Sequence, residues 1–225
     1  KGMPNQPRTS DTTAQPPRKA EHYAETRDWP GYFEVVLGKP PRETLIDALA
    51  RFDADGAPAG FAVDFGCGEG RDSAELLRQG WRVLAIDGHK SAFDYLRRRT
   101  DFPRAAKDPE RFRTLLVRME DAEWPECDLF NASFSLPFVD PARFDEVWGK
   151  IVDSIRPGGR FAGQLFGERD TWASLPDRSH QTRQRVDELL RAFKVEHFQE
   201  EERDGGDCLN NPKHWHVFHI VAQKR

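Results

Sequence analysis

Residues 61–90 read FAVDFGCGEGRDSAELLRQGWRVLAIDGHK. Two short apolar runs are separated by a glycine loop (Gly66, Gly68, Gly70) and by the segment RDSAELLRQG. One acid, Asp64, stands just before the glycines, and a second, Asp87, closes the next apolar run. An apolar run, a glycine turn, a helix stopped by Gly80 and another apolar run make a strand–helix–strand unit. Glycines at such a turn permit positive φ and let the backbone approach a ligand closely. The helix that follows begins with free N–H groups, which suit a carboxylate or phosphate.

The alternation continues outward from this unit. KSAFDYLRRR reads as a helix, FRTLLVRM and CDLFNASFSL as strands, and PARFDEVWGKIVDSI as an amphipathic helix started by Pro141 and stopped by RPGG. RFAGQLFG is the fifth strand and TRQRVDELLRAF a further helix. Upstream, PPRETLIDALARF places Leu45, Ile46 and Leu49 at helical spacing behind prolines suited to a helix start. Continuous apolar strands alternating with helices predict an α/β fold with a doubly wound parallel sheet covered on both faces. The segments KVEHFQEEER and HWHVFHIVAQK have no helix between them and predict an antiparallel pair at one edge.

Composition narrows the function classes. The 225 residues suffice for one substantial domain, and 37% hydrophobic with 32% charged residues fits a globular protein with a charged surface. A net charge of −4 gives no reason to expect nucleic acid or an anionic membrane as partner. Three cysteines, Cys67, Cys127 and Cys208, form no CxxC pair, which fits a reducing cytoplasm. No apolar run nears the roughly 20 residues of a membrane span, and no signal-peptide core is visible. Residues 1–20, rich in Pro, Thr, Gln and Arg, are expected to be a disordered tail, with one domain over 21–225.

The two acids suggest a nucleoside cofactor. Asp87 ends the second strand, where a carboxylate accepts hydrogen bonds from both ribose hydroxyls; the plainer reading is a cap on the next helix. The loop is GxGxG preceded by an acid, not the GxGxxG of dinucleotide sites. Asp64 repels a pyrophosphate but suits a ligand carrying an ammonium and a sulfonium, which favours S-adenosylmethionine over a nicotinamide.

VDFGCGEG, VLAID and IRPGGRFAGQLFG together resemble the class I S-adenosylmethionine-dependent methyltransferases, from about Tyr23 onward. GCGEGRDS, the N-terminal aromatic segment and the length are most similar to the tellurite-resistance-type members, a small cytoplasmic group. The resemblance implies a Rossmann-like seven-stranded sheet, mostly parallel, with the last strand inserted antiparallel. It implies that Gly66, Cys67 and Gly68 line the methionine part of the cofactor, that Asp64 faces its amino group and that Arg71 meets its carboxylate. Asp87 takes the ribose, with Gly88 and His89 beside the adenine. In MEDAEWP, Asp121 is the acid chosen for the adenine amino group, with Ala122 supplying a backbone N–H and Glu120 as competitor. Asn131, Ala132 and Ser133 are placed beside the sulfonium.

The acceptor side is less defined. Phe134 and Phe138 are candidates for a methyl-transfer pocket, as are Trp29 and Tyr32, with ordinary core packing as the alternative. KHWHVFHI puts His214 and His216 on one strand face and His219 on the other. That split disfavours zinc, and His216 is taken as the substrate-side histidine. The expected activity is one-step methyl transfer to a small molecule, with a non-catalytic cofactor-binding module and a nicotinamide-dependent oxidoreductase as rivals. Tyr23, Trp29, Tyr32 and Phe33 crowd a segment ahead of the core, so residues 21–52 are expected to form a lid or a brace. Deleting residues 1–20 should leave methyl transfer intact. Deleting 1–33 should abolish it while circular dichroism still reports a folded core; full activity in the longer truncation would refute the lid.

Overall fold

In the strand Phe61–Phe65 (β1) the last four residues are all buried, the signature of a strand covered on both faces. The computed structural model describes residues 28–225, so the polar tail and Tyr23 lie outside the described residues. β1 pairs in parallel with Arg82–Asp87 (β2) on one side and Cys127–Ala132 (β4) on the other. Phe112–Leu116 (β3) extends the sheet beyond β2, and Ile155–Phe166 (β5) extends it beyond β4, both in parallel. Pro212–Lys224 (β7) runs antiparallel between β5 and Phe193–Gly206 (β6). The order is β3-β2-β1-β4-β5-β7-β6, the Rossmann-like seven-stranded sheet expected from the sequence. Strand order reverses between β1 and β4, so a crevice opens at their carboxyl ends.

Side-chain alternation divides the core into two layers. Ala62 and Val83 pack with Leu45, Leu49, Leu76 and Leu77. Those leucines come from the helices Glu43–Ala54 (α2) and Arg71–Arg78 (α3). Val63, Phe65 and Phe130 face the other way, toward Trp148, Ile151, Val186 and Leu189. These lie on Phe144–Ser154 (α5) and Arg183–Leu189 (α6). Lys90–Arg98 (α4) covers β2, and Trp29–Val36 (α1) packs on α4 near the crevice. No helix among the described residues is long and apolar enough to cross a membrane.

Three boundaries differ from the sequence expectation. RPGG does not separate helix from strand; β5 begins at Ile155, directly after α5. Its pairing with β4 slips between Cys127 and Leu129, which absorbs Gly158 at φ +83°. At Gly159 a Cβ would lie 2.7 Å from the Asp128 carbonyl oxygen, so the close approach of the two backbones requires glycine. The third and fourth strands stop at Leu116 and Ala132, earlier than their apolar runs, because the chain turns there to line the crevice.

One buried ion pair ties the β6–β7 hairpin to the loop after β5. Lys213 is 4% exposed and its ammonium pairs with Asp170, inside a cage of Phe166, Trp172 and Trp215 rings at 5.2, 4.4 and 4.2 Å. Asp170 also accepts from the backbone N–H groups of Trp172 and His216, at 3.0 and 3.1 Å. Burial holds the Lys213 ammonium below the usual lysine range. Lys213→Ala would leave the Asp170 carboxylate buried without its cation. The expected loss is about 3–5 kcal/mol, to be read from urea unfolding, as for other broken buried pairs.

Candidate functional site

The crevice is a cavity of about 540 Å3 lined by the glycine loop, the ends of β2 and β4, α1 and the far end of the β6–β7 hairpin. Its base is the turn after β1. The N–H groups of Gly66 and Cys67 both donate to the Ile86 carbonyl, at 2.8 and 2.9 Å, which ties the loop to β2. Gly66 has φ +72°, and a Cβ there would come within 2.3 Å of the Ser135 Cβ, so no other residue fits. Phe33, buried on α1, lies over Gly68 and closes the loop from above.

Behind the loop is a buried network of acids. Asp64 accepts from Ser73 Oγ at 2.6 Å and from Asn131 Nδ2 at 3.0 Å. The same Asn131 Nδ2 donates to Asp72 at 2.9 Å. Asp72 also accepts from Ser133 Oγ at 2.6 Å and from the Arg42 backbone N–H at 2.9 Å. Burial, and then the nearby Asp72 carboxylate, push the Asp64 carboxyl up to about 7. Burial also raises Asp87 and Glu69 above their ordinary range and keeps the Cys67 thiol protonated.

Asp87 is oriented by two backbone donors. Gly68 N–H reaches one carboxylate oxygen at 3.0 Å and His89 N–H the other at 2.9 Å. Each oxygen retains acceptor capacity, and the carboxylate lines the cavity. The helix-capping alternative is not realised: His89, not Asp87, is the N-cap of α4 and accepts from Ser91 N–H at 3.2 Å.

At the end of β4, Phe134 has φ +54°, a left-handed conformation that is costly for an aromatic residue. It is held there by a hydrogen bond from its N–H to Gln164 Oε1 at 3.0 Å and by the Arg42 guanidinium 4.4 Å above its ring. Trp29 on α1 meets Phe138 edge-on at 4.7 Å, and Tyr32 accepts from Arg42 at 3.3 Å.

Most residues singled out from the sequence reach this cavity: Asp64, Gly66, Cys67, Gly68, Arg71, Asp87, Gly88, His89, Ser133, Trp29, Tyr32, Phe134 and Phe138. Arg71 is buried, not solvent-exposed, and sits 3.4 Å from Glu69. Five need correction. Glu120, not Asp121, reaches the cavity; Asp121 points outward and pairs with Arg143 at 2.6 Å. The Ala122 N–H is used within its own turn, donating to the Met119 carbonyl at 3.3 Å, and Ala122 lies outside the lining. Asn131 and Ala132 are fully buried beneath the cavity, Asn131 bridging the two acids. His216 faces the opposite side of β7, packed against Gly167 and bonded to Glu200 at 2.8 Å; His219 lines the cavity instead.

Several lining residues were not singled out. Asp72 was legible in principle, in the first turn of α3 just after the glycine loop. Trp172, from the turn after β5, and Glu201, Arg203 and Trp215, from the hairpin, were not, since no local pattern tells that β7 pairs with β5 and brings these segments to the cavity. His214, His216 and His219 are each engaged by carboxylates, and no cluster among the described residues could hold a metal ion.

Comparison with known proteins places these features in context. Residues 62–159, from β1 to the start of β5, match a family model described as a methyltransferase domain. No curated protein sequence matches the chain. Among solved structures, TehB from Haemophilus influenzae aligns with a TM-score of 0.63 at 17% identity over 80% of this chain. This chain spans only 62% of that structure's length. A 1,6-didemethyltoxoflavin N1-methyltransferase from Burkholderia thailandensis, solved with S-adenosylhomocysteine, aligns over 93% of this chain and 92% of its own, with a TM-score of 0.59 and 21% identity. A TehB-like methyltransferase from Corynebacterium glutamicum aligns over 91% of this chain and 100% of its own, with a TM-score of 0.55 and 17% identity.

The raised Asp64 carboxyl has a consequence for stability. The unfolded chain loses this proton near 3.8 and the fold keeps it up to about 7. The stabilisation is therefore complete below about pH 4 and is lost as pH rises through 7. The unfolding free energy of the ligand-free protein, minus that of Asp64→Asn, should fall between pH 4.5 and 7.5 by on the order of a few kcal/mol at most. A pH-independent difference in urea unfolding would contradict the assignment.

Proposed function

We propose that the chain is a class I S-adenosylmethionine-dependent methyltransferase, a reading supported by the methyltransferase-domain match over residues 62–159 and by the fold, and that it methylates a small molecule held in the aromatic half of the cavity. The observation that carries this reading is the pair Asp64 and Asp87 on either side of the glycine loop, both lining one cavity. The donor set fits the cofactor. Asp64 is a buried carboxyl beside a second acid, a place where an ammonium relieves repulsion. Asp87 presents two oxygens, each with one acceptor position left, matching a ribose diol.

When bound, the cofactor supplies an electrophilic methyl group on a positively charged sulfur. The chain's residues bind, orient and enclose it. Gly66, Cys67, Gly68 and Arg71 would hold the amino-acid end, with Asn131 fixing Asp64 and Asp72 in place. Gly88, His89 and Glu120 would flank the base. Phe134, forced into its left-handed turn, lines the cavity with Ser133. Trp29 and Phe33 on α1 would exclude water from above, so that donor and acceptor meet at roughly 3 Å without a competing nucleophile.

Titration calorimetry tests the reading. S-adenosylhomocysteine should bind with micromolar affinity and NAD should not; the reverse would overturn the assignment. Near pH 6 binding should release a proton as Asp64 ionises against the ammonium, seen as a buffer-dependent heat that Asp64→Asn abolishes. Asp87→Ala should weaken binding by a factor of about 30 or more through loss of two charge-assisted hydrogen bonds.

A further inference from the structure

The cavity beyond Ser133 has walls of a different kind. One face of β7 presents Trp215, Val217 and His219, alternate residues of a single strand, and Phe134, Phe166 and Trp172 stand around them. These rings make an apolar wall that accepts an aromatic molecule.

The hydrogen bonds fix the protonation of the one imidazole in that chamber. Phe134 N–H donates to Gln164 Oε1, so the Gln164 amide must turn its NH2 group the other way. That NH2 donates to Thr44 Oγ1 at 3.0 Å and faces His219 Nδ1 at 3.5 Å. A ring nitrogen facing an NH2 group turns a lone pair to it, so the ring proton is on Nε2, where it donates to Glu201 at 2.8 Å. At 3.5 Å that contact is at the limit of a hydrogen bond, so an acceptor's O–H or N–H can displace the Gln164 amide from the Nδ1 lone pair. Glu201 is itself ion-paired with Arg203, whose guanidinium lies 5.6 Å over Trp215. The charged groups facing His219 are thus Glu201 and Arg203 from β6 and, across the Phe134 ring, Arg42 from the start of α2.

We infer that this chamber takes a planar arene carrying a hydroxyl or a ring N–H, and that His219, held by Glu201, takes the acceptor's proton. The inference rests on the methyl-transfer reading above and specifies its acceptor. The acceptor atom gives its proton to Nδ1 and its lone pair to the methyl carbon. The donor's sulfur keeps the electrons of the broken bond, and the imidazolium passes the proton to solvent. Glu201 is a positioning residue that stabilises the charged ring, and His219 is the catalytic one.

Two chromogenic phenols, 4-nitrophenol and 4-nitrocatechol, report proton loss by their colour. Each is titrated into the full chain at a pH below its own ionisation midpoint, with saturating S-adenosylhomocysteine and again without it. At least one should bind with a phenolate spectrum, its midpoint lowered by about one unit. His219→Asn should bind the same dye within about threefold but leave it protonated, a split a packing role would not produce. Glu201→Gln should shrink the midpoint shift without removing binding. Circular dichroism and S-adenosylhomocysteine affinity check that both variants fold. Failure of both dyes to bind, a protonated spectrum on the wild-type chain, or an unchanged phenolate on a folded His219→Asn protein would overturn the proposal. Absence of S-adenosylhomocysteine binding would instead overturn the methyl-transfer reading, and the cofactor-free titrations would still decide the role of His219.

Discussion

One amide nitrogen holds the site together. Asn131 Nδ2 donates to Asp64 and to Asp72 at once, between two carboxyls that would otherwise repel each other inside the protein. Asp64 belongs to β1, Asp72 to α3 and Asn131 to β4, so the contact joins the first strand, its helix and the strand across the switch point. Ser73, Ser133 and the backbone of Arg42 complete the set, bringing in the start of α2. Buried acids are tolerable here because hydrogen bonds satisfy them and Asp64 holds its proton up to about pH 7. The same arrangement leaves a negative potential just beneath the glycine loop, which an ammonium can neutralise.

The two halves of the cavity follow from different physics. The half around the glycine loop is made of backbone: glycines with positive φ, N–H groups aimed at Ile86 and Asp87, and a helix start. The half toward the hairpin is made of rings and ion pairs, several of them on the long strands β6 and β7. Phe134 is the joint between them, strained at the end of β4 and pinned by Gln164 from β5.

The legible parts of the sequence were those written in local spacing. Strand–loop–helix–strand order from Phe61 to Asp87 predicted β1, the glycine turn, α3 and β2, and the helix-free pair of C-terminal runs predicted the antiparallel edge. Spacing failed where a side chain's direction depends on a neighbouring turn. In MEDAEWP a short 3-10 turn rotates Glu120 inward and Asp121 outward, a choice no periodicity encodes. On β7 alternation correctly separated His216 from His219, but which face meets the cavity is set by pairing with β5 some fifty residues earlier. The hairpin's contribution depends wholly on that long-range pairing.

The inserted strand also imposes an order on assembly. β6 precedes β7 in the chain, yet it touches the sheet only through β7. Until β7 is in place, β5 is an open edge and β6 has no partner, so the hairpin must close on itself before or while it docks. Contacts between β5 and β7 span many tens of residues and are among the slowest to form. The glycine-loop half of the cavity, drawn from the first strands and helices, can take shape while the hairpin wall is still missing. In a nascent or partly unfolded chain, β5 is then an open edge beside a glycine-loop pocket that has already formed.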